Sequence, residues 1–258
     1  MPYLEANGHR YFYFAHEGRT ARVGERCLVF IHGSGGDHGV WSRQTDVFEP
    51  DFRVIVPDLP GHGLSDDTGR DRIEDYARWL KGFIDALELE EVVLLGHSMG
   101  GAIIQEYAVR YPACLKGLVL VGTGAKLRVS TAILDMVCKD FEMMVRLSCT
   151  YAYSEKVPAE TVREGFEMLC RNSPAVLHGD FLACDRFDST ERLKDINIPT
   201  LIICGDEDQL TPPLYSHYLK NTIRNSVLCI VESAGHMVMV ERPEDFNAAL
   251  EGFCRSMQ

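Results

Sequence analysis

A serine hydroxyl attacks a carbonyl carbon only when a base takes its proton, so serines in unusual backbone settings are informative. Ser98 stands in Gly96-His97-Ser98-Met99-Gly100-Gly101, which satisfies G-x-S-x-G. Before it, Glu91-Val92-Val93-Leu94-Leu95 is a short apolar, β-branched run that predicts a buried strand. After it, residues 102–108 carry helical spacing, with Pro112 beyond the helix end. In a strand turning sharply into a helix, side chains two residues either side of the serine collide with neighbouring backbone. That requirement accounts for Gly96 and Gly100. The turn is expected to lift the Ser98 hydroxyl above the sheet, with the Met99 amide at the helix N-terminus facing an oxyanion.

The base is sought among nine histidines. His236 follows the last strand run, in Ser233-Ala234-Gly235-His236-Met237, and is the candidate general base. His32 and His62 belong to Gly and Pro turns, and His97 to the serine turn itself. His9 and His16 flank an N-terminal hairpin, while His38, His178 and His217 lack a supporting arrangement. A carboxylate must fix the base's tautomer, and Gly205-Asp206-Glu207-Asp208-Gln209-Leu210-Thr211-Pro212 supplies it just beyond a strand. Asp208, the fourth residue of that turn, is the candidate, with Asp206 as the competing one. Nothing acidic follows the strand ending at Val121-Gly122-Thr123. The second oxyanion donor is assigned to the Ser34 amide in His32-Gly33-Ser34-Gly35-Gly36, where small residues let backbone approach a substrate. That loop is not a P-loop, since no Gly-Lys-Ser/Thr follows. Carboxylates and histidines are too dispersed for a metal site, and no cofactor is expected.

These residues must be held by a scaffold. Residues 3–14 alternate around Asn7-Gly8, which predicts a type I′ hairpin. Strand runs follow at 27–31, 53–56, 91–95, 117–121, 200–204 and 227–231. Between them, residues 73–87 form an amphipathic helix, with Asp71 as its cap and Glu74 reaching back. Residues 243–253 close the chain as a helix with Pro243 in its first turn. Alternating strands and helices predict an α/β fold with a mostly parallel sheet covered on both faces. Ligands in such sheets bind beyond the carboxyl ends of the strands, where every loop above lies. Residues 126–194 break the alternation with helical patterning, rich in Met and aromatic residues. They are expected to form a helical cap inserted into a core of residues 1–125 and 195–258, most of their apolar residues being ordinary helix core. Arg128, Arg146, Arg163 and Arg186 lie in that segment, and solvated helix faces carry such residues as readily as carboxylate sites do.

At 258 residues, 46% hydrophobic and 25% charged, the chain is sized and composed as one soluble domain with an insertion. A net charge of −12 without Lys/Arg clusters argues against nucleic acid as a partner. No apolar run approaches the roughly 20 residues needed to span a membrane. Nine scattered cysteines without a C-x-x-C pair suggest reduced thiols, and Met1-Pro2-Tyr3-Leu4-Glu5 lacks the character of a signal peptide. Both point to a cytoplasmic location.

The motifs HGSGG at 32–36, DLPGHGLS at 58–65, GHSMGG at 96–101, GDEDQLTPP at 205–213 and GHMVMVERPEDF at 235–246 together resemble the α/β-hydrolase superfamily. The order Ser98, Asp208, His236 is that superfamily's order. The resemblance implies a Ser98-His236-Asp208 triad, an oxyanion hole from the Ser34 and Met99 amides, and a cap domain. The expected activity is hydrolysis of a small ester, thioester or related acyl compound. Ser98 speaks against dehalogenases and epoxide hydrolases, which place Asp there. Carbon–carbon hydrolases typically carry Asn before the serine and Trp after the histidine, where this chain has His97 and Met237. A carbon–carbon bond hydrolase, a cofactor-free haloperoxidase or perhydrolase, and a ligand sensor on the same fold are the alternatives.

Overall fold

Parallel strands buried on both faces read as unbroken apolar runs, and such runs form the centre of this sheet. The computed structural model describes residues 2–16, 26–49 and 52–257, leaving Met1 outside the described residues. Its strands are β1 (Tyr3–Ala6), β2 (His9–His16), β3 (Cys27–Ile31), β4 (Arg53–Pro57), β5 (Val92–His97), β6 (Leu115–Val121), β7 (Thr200–Gly205) and β8 (Ser226–Val231). They form one eight-stranded sheet in the order β1-β2-β4-β3-β5-β6-β7-β8. β2 pairs antiparallel with β1 and β4, and every other pairing is parallel. The hairpin turns on Asn7 and Gly8, both at positive φ (52° and 80°), as a type I′ turn demands.

The helices are α1 (Ser42–Phe48), α2 (Ile73–Ala86), α3 (Met99–Arg110), α4 (Thr131–Lys139), α5 (Phe141–Ala152), α6 (Ala159–Cys170), α7 (Pro174–Arg186), α8 (Pro213–Thr222), α9 (Val238–Glu241) and α10 (Pro243–Ser256). Alternation along each strand divides the core in two. Val29, Ile31, Ile55, Leu94, Leu118 and Leu120 face α2, α3 and α8. Leu28, Phe30, Val54, Val56, Val93 and Leu95 face Trp41 and α10. Tyr76, Leu80 and Ile84 of α2 are buried, each large apolar side chain contributing about 1.5–3 kcal/mol.

The cap expected for α2 is not formed. The helix starts at Ile73 as expected, but the residue at its N-cap position is Arg72, with no side-chain bond there. Asp71 is drawn away by Arg186 of α7, which binds its carboxylate. Glu74 and Asp75 instead lie in the first turn, where carboxylates favour the helix dipole.

Strand register sets the site. Ile31 pairs with Gly96, His97 with Val121, Val121 with Ile203, and Gly205 with Val231. The carboxyl ends therefore finish level, and the loops after β3, β5, β6, β7 and β8 emerge along one edge.

Helices α4–α7 fall between β6 and β7, with an isolated antiparallel bridge between Lys126 and Asp188 at their base. They share a small core of Val137, Met144, Val145, Cys149 and Leu177, against which Met136, Phe141 and Phe166 pack. Met143 is exposed. Ser130, Asp140 and Ser173 cap three of these helices through bonds to the amides of Ile133, Met143 and Val176. Among the described residues no helix is long and apolar enough to cross a membrane.

Candidate active site

Ser98 sits between β5 and α3 at φ 53° and ψ −116°, a strained conformation for a residue with a side chain. Three contacts hold it there. Its amide donates to Val121 O at 2.9 Å, its carbonyl accepts from Thr123 Oγ1 at 2.9 Å, and Ala102 N closes the first turn of α3 onto that carbonyl. A Cβ on Gly96 would lie 2.3 Å from Gly100 O, and one on Gly100 would lie 2.4 Å from Ile31 O. Both glycines are thus demanded by backbone contact, which is the role their spacing predicts.

His236 and Asp208 meet beside it. His236 Nδ1 lies 2.9 Å from Asp208 Oδ2, and both residues are nearly fully buried. Asp208 Oδ1 accepts the amides of Leu210 and Thr211 at 2.9 and 2.8 Å, and Oδ2 accepts the Thr211 hydroxyl at 2.7 Å. Burial would raise the Asp208 carboxyl, but His236 and these donors outweigh it and hold its pKa below the usual value. With Nδ1 engaged by the carboxylate, Nε2 is the ring nitrogen left for a reacting group. Asp206 does not reach the ring. Its Oδ1 is 3.4 Å from Ala234 N, beneath the histidine loop.

His97 is buried under His236, ring centroids 4.6 Å apart, with Nε2 3.0 Å from the His236 carbonyl. Burial, then the neighbouring His236, pushes its pKa down to about 3. The ring is neutral, and Nε2–H donates to that carbonyl. The His236 and Met237 amides donate to Ala152 O at the end of α5, at 2.9 and 3.2 Å.

The loop after β3 brings Ser34 to Met99, Ser34 Oγ lying 3.5 Å from Met99 Sδ. His32 orders this loop by donating Nδ1–H to Gly33 O at 2.8 Å while Nε2 accepts Leu59 N at 3.0 Å. His38, which the sequence leaves without support, has a partner after all. Its Nδ1 lies 2.9 Å from Asp58, a carboxylate buried beneath DLPGHG.

Ser34, Ser98 and His236 open onto one cavity of about 360 Å³. Its walls include Leu127, Ile133, Leu147, Met168, Leu169 and Phe181 from the helical segment, with Tyr153, Tyr215 and Val240. Arg128 reaches the cavity, whereas Arg146, Arg163 and Arg186 pair with Glu142, Glu160 and Asp71. Among the described residues no group of three or more His, Cys, Asp or Glu could hold a metal ion. A strained serine, a histidine–carboxylate pair and a largely apolar cavity are the parts of nucleophilic acyl transfer.

Thr211, His97 and the Asp180 cluster described below were not singled out from the sequence. A hydroxyl three residues after an acid, just before Pro212, is the one local signal that points to Thr211.

The sequence is similar to the 3-oxoadipate enol-lactonase 1 of Acinetobacter baylyi, at 26% identity over 90% of each chain. It is also similar to a putative carbamate hydrolase of Azorhizobium caulinodans, at 28% identity over 98% of each. The structure resembles that of a thermophilic esterase, with a TM-score of 0.87 and 34% identity over 99% of this chain and 97% of that one. The model of the alpha/beta hydrolase family matches residues 28–249, from β3 through the serine turn and the histidine loop into α10. Sheet order, serine turn and that match agree, and the chain belongs to the alpha/beta hydrolase family.

Proposed function

We propose that this chain is a serine hydrolase that cleaves a small carboxylic ester, thioester or lactone through an acyl-enzyme. A hydrolase of this fold is what its relatives support, since lactonase, carbamate hydrolase and esterase stand among them. The observation that carries the finer reading is the His236–Asp208 bond at a cavity shared with Ser98.

In this reading Ser98 Oγ attacks the carbonyl carbon while His236 Nε2 takes its proton. The carbonyl oxygen becomes an oxyanion held by the Ser34 and Met99 amides, each such donor supplying roughly 10²–10³ in rate. Asp208 stabilises the imidazolium. As the tetrahedral adduct collapses, the leaving group takes the proton from Nε2. Water then gives a proton to His236 and attacks the acyl-enzyme, which releases the acid and restores Ser98. Residues 126–194 act as a cap that walls the acyl site with apolar side chains.

Fluorophosphonate labelling with peptide mapping tests this. Labelling of Ser98 that disappears in Ser98→Ala and His236→Ala is expected, as is loss of p-nitrophenyl butyrate turnover by at least about 10⁴-fold in both. Full turnover by Ser98→Ala would overturn the reading.

A further inference from the structure

Asp180 is a fully buried carboxylate on α7 that the acyl-transfer steps do not use. Its Oδ1 accepts the Tyr76 hydroxyl at 2.6 Å. Its Oδ2 accepts Gly35 N at 2.9 Å and faces His62 Nε2 at 2.8 Å. The other nitrogen of His62 faces Pro60 O at 3.0 Å. A carboxylate and a carbonyl can only accept, so both ring nitrogens carry hydrogen and His62 is a cation. Burial opposes that charge, and Asp180 more than compensates, leaving the His62 pKa raised. A buried ion pair is weak as a source of net stability relative to apolar packing. What this one does is hold a backbone amide in the loop after β3.

Gly35 is gripped by the helical segment on every side. Its φ is +65°, and a Cβ there would lie 2.7 Å from Leu169 and 2.9 Å from Leu177. Its amide goes to Asp180, and its carbonyl accepts Asn172 Nδ2 at 2.6 Å. One peptide earlier, Gly33 O accepts His32 Nδ1 at 2.8 Å and Gly36 N at 3.1 Å. In a trans peptide the Ser34 N–H points opposite to that carbonyl. Three successive peptide planes are thereby fixed, the first by the core and the next two by α7 and the residues before it.

We infer that Asp180 is a positioning residue for hydrolysis: from α7 it pins the Gly35 amide, and with Asn172 it holds the two peptide planes whose Gly36 N–H braces Gly33 O, so that the Ser34 N–H keeps its aim at the oxyanion. The helical segment is then part of the catalytic frame as well as the wall of the cavity. This inference rests on the Ser98 reading above.

The test is steady-state hydrolysis of p-nitrophenyl butyrate by Asp180→Asn and Asn172→Ala. Val137→Ala, in the apolar core the same helices share, is the control. Each variant is also titrated with a trifluoromethyl ketone, which adds to the serine as a tetrahedral mimic. Asp180→Asn is expected to lower kcat by about tenfold or more and Asn172→Ala by about threefold, with KM little changed. Affinity for the ketone should fall by the same factors. Val137→Ala should lower the thermal midpoint without these losses. Asn172→Ala, whose side chain is only partly buried, carries the test if Asp180→Asn does not fold. Wild-type kcat in the positioning variants, or losses no larger than in a Val137→Ala of equal midpoint, would overturn the inference. Turnover surviving in Ser98→Ala would overturn the hydrolytic reading itself, whereas an inactive Ser98→Ala beside fully active positioning variants overturns this inference alone.

Discussion

Thr211 binds Asp208 through both its amide and its hydroxyl, and the hydroxyl shares Oδ2 with His236 Nδ1. The carboxylate cannot turn away from the imidazole without giving up bonds on both oxygens. Thr211→Val removes one charge-assisted bond and should cost about 1.5–3 kcal/mol of stability at pH 7. Asp208 has a lowered pKa in the folded protein, so its contribution is present above the unfolded value of about 3.9 and is lost as pH falls through the folded one. The Thr211→Val deficit should therefore shrink in urea titrations below about pH 4. A deficit that stays constant to pH 3 would show that the hydroxyl does not act on the ionised carboxylate.

His97 gives a second pH signature. It is buried neutral with a pKa near 3, and His32, buried beside His62, is pushed down to about 4. Both are near 6.5 when unfolded, so the unfolded chain binds more protons in the acid range and stability falls from about pH 6.5 towards 4. His62 has the opposite sign, its raised pKa giving stability that is lost as pH rises through it. His97→Asn keeps a donor for the His236 carbonyl and removes one titrating ring. It should leave kcat within a few-fold and reduce the slope of stability between pH 6.5 and 4 by about 1.4 kcal/mol per pH unit. An unchanged slope would exclude His97 from acid unfolding.

The core of this molecule was legible because its signals are local. Short runs such as Val92-Val93-Leu94-Leu95, β-branched and ending at a glycine turn, read as buried strands, and Gly96 and Gly100 announce a turn whose geometry the backbone clashes explain. Asp208 and His236 could be placed because each follows a strand at the edge where ligands bind. What stayed illegible depends on distant partners. Asp71 has a capping pattern, yet Arg186, 115 residues away, takes its carboxylate. Asp180 meets Gly35 across 145 residues and His62 across 118, and nothing in its local sequence marks it. The Met and aromatic residues of the helical segment divided between its own core and the cavity wall, as with Met144 and Met168, and periodicity cannot separate those faces.

The apolar cavity wall predicts a chain-length preference. Each methylene added to the acyl group of a p-nitrophenyl ester should raise kcat/KM about fourfold while it finds apolar wall, from about 0.8 kcal/mol per buried CH₂. Leu147 lines the cavity from α5. Leu147→Trp should move the optimum to shorter acyl groups while sparing acetate hydrolysis. A flat acyl series in the wild type would place the acyl group outside this cavity.

Glu241 bears on the histidine loop from below. Its Oε2 accepts Gly235 N at 3.0 Å and Ser154 N at 3.1 Å, and its Oε1 accepts Met237 N at 3.2 Å. One carboxylate thus ties both neighbours of His236 to Ser154, two residues beyond α5. Glu241→Ala strands the Gly235 and Ser154 amides and leaves Met237 N only the Ala152 carbonyl, and a single unsatisfied buried group costs about 1–3 kcal/mol. The loop would relax first, because the Ala152 carbonyl would be left to hold His236 and Met237 alone. The expected result is a lower thermal midpoint together with a kcat reduced about tenfold, since the imidazole no longer stays in line with Ser98. Glu241→Gln retains one carbonyl oxygen and can still accept two of the three amides, so it should recover most of both losses. If Glu241→Gln restores the midpoint but not kcat, the charge itself matters to His236, and the carboxylate is then acting on the imidazolium as well as on the loop.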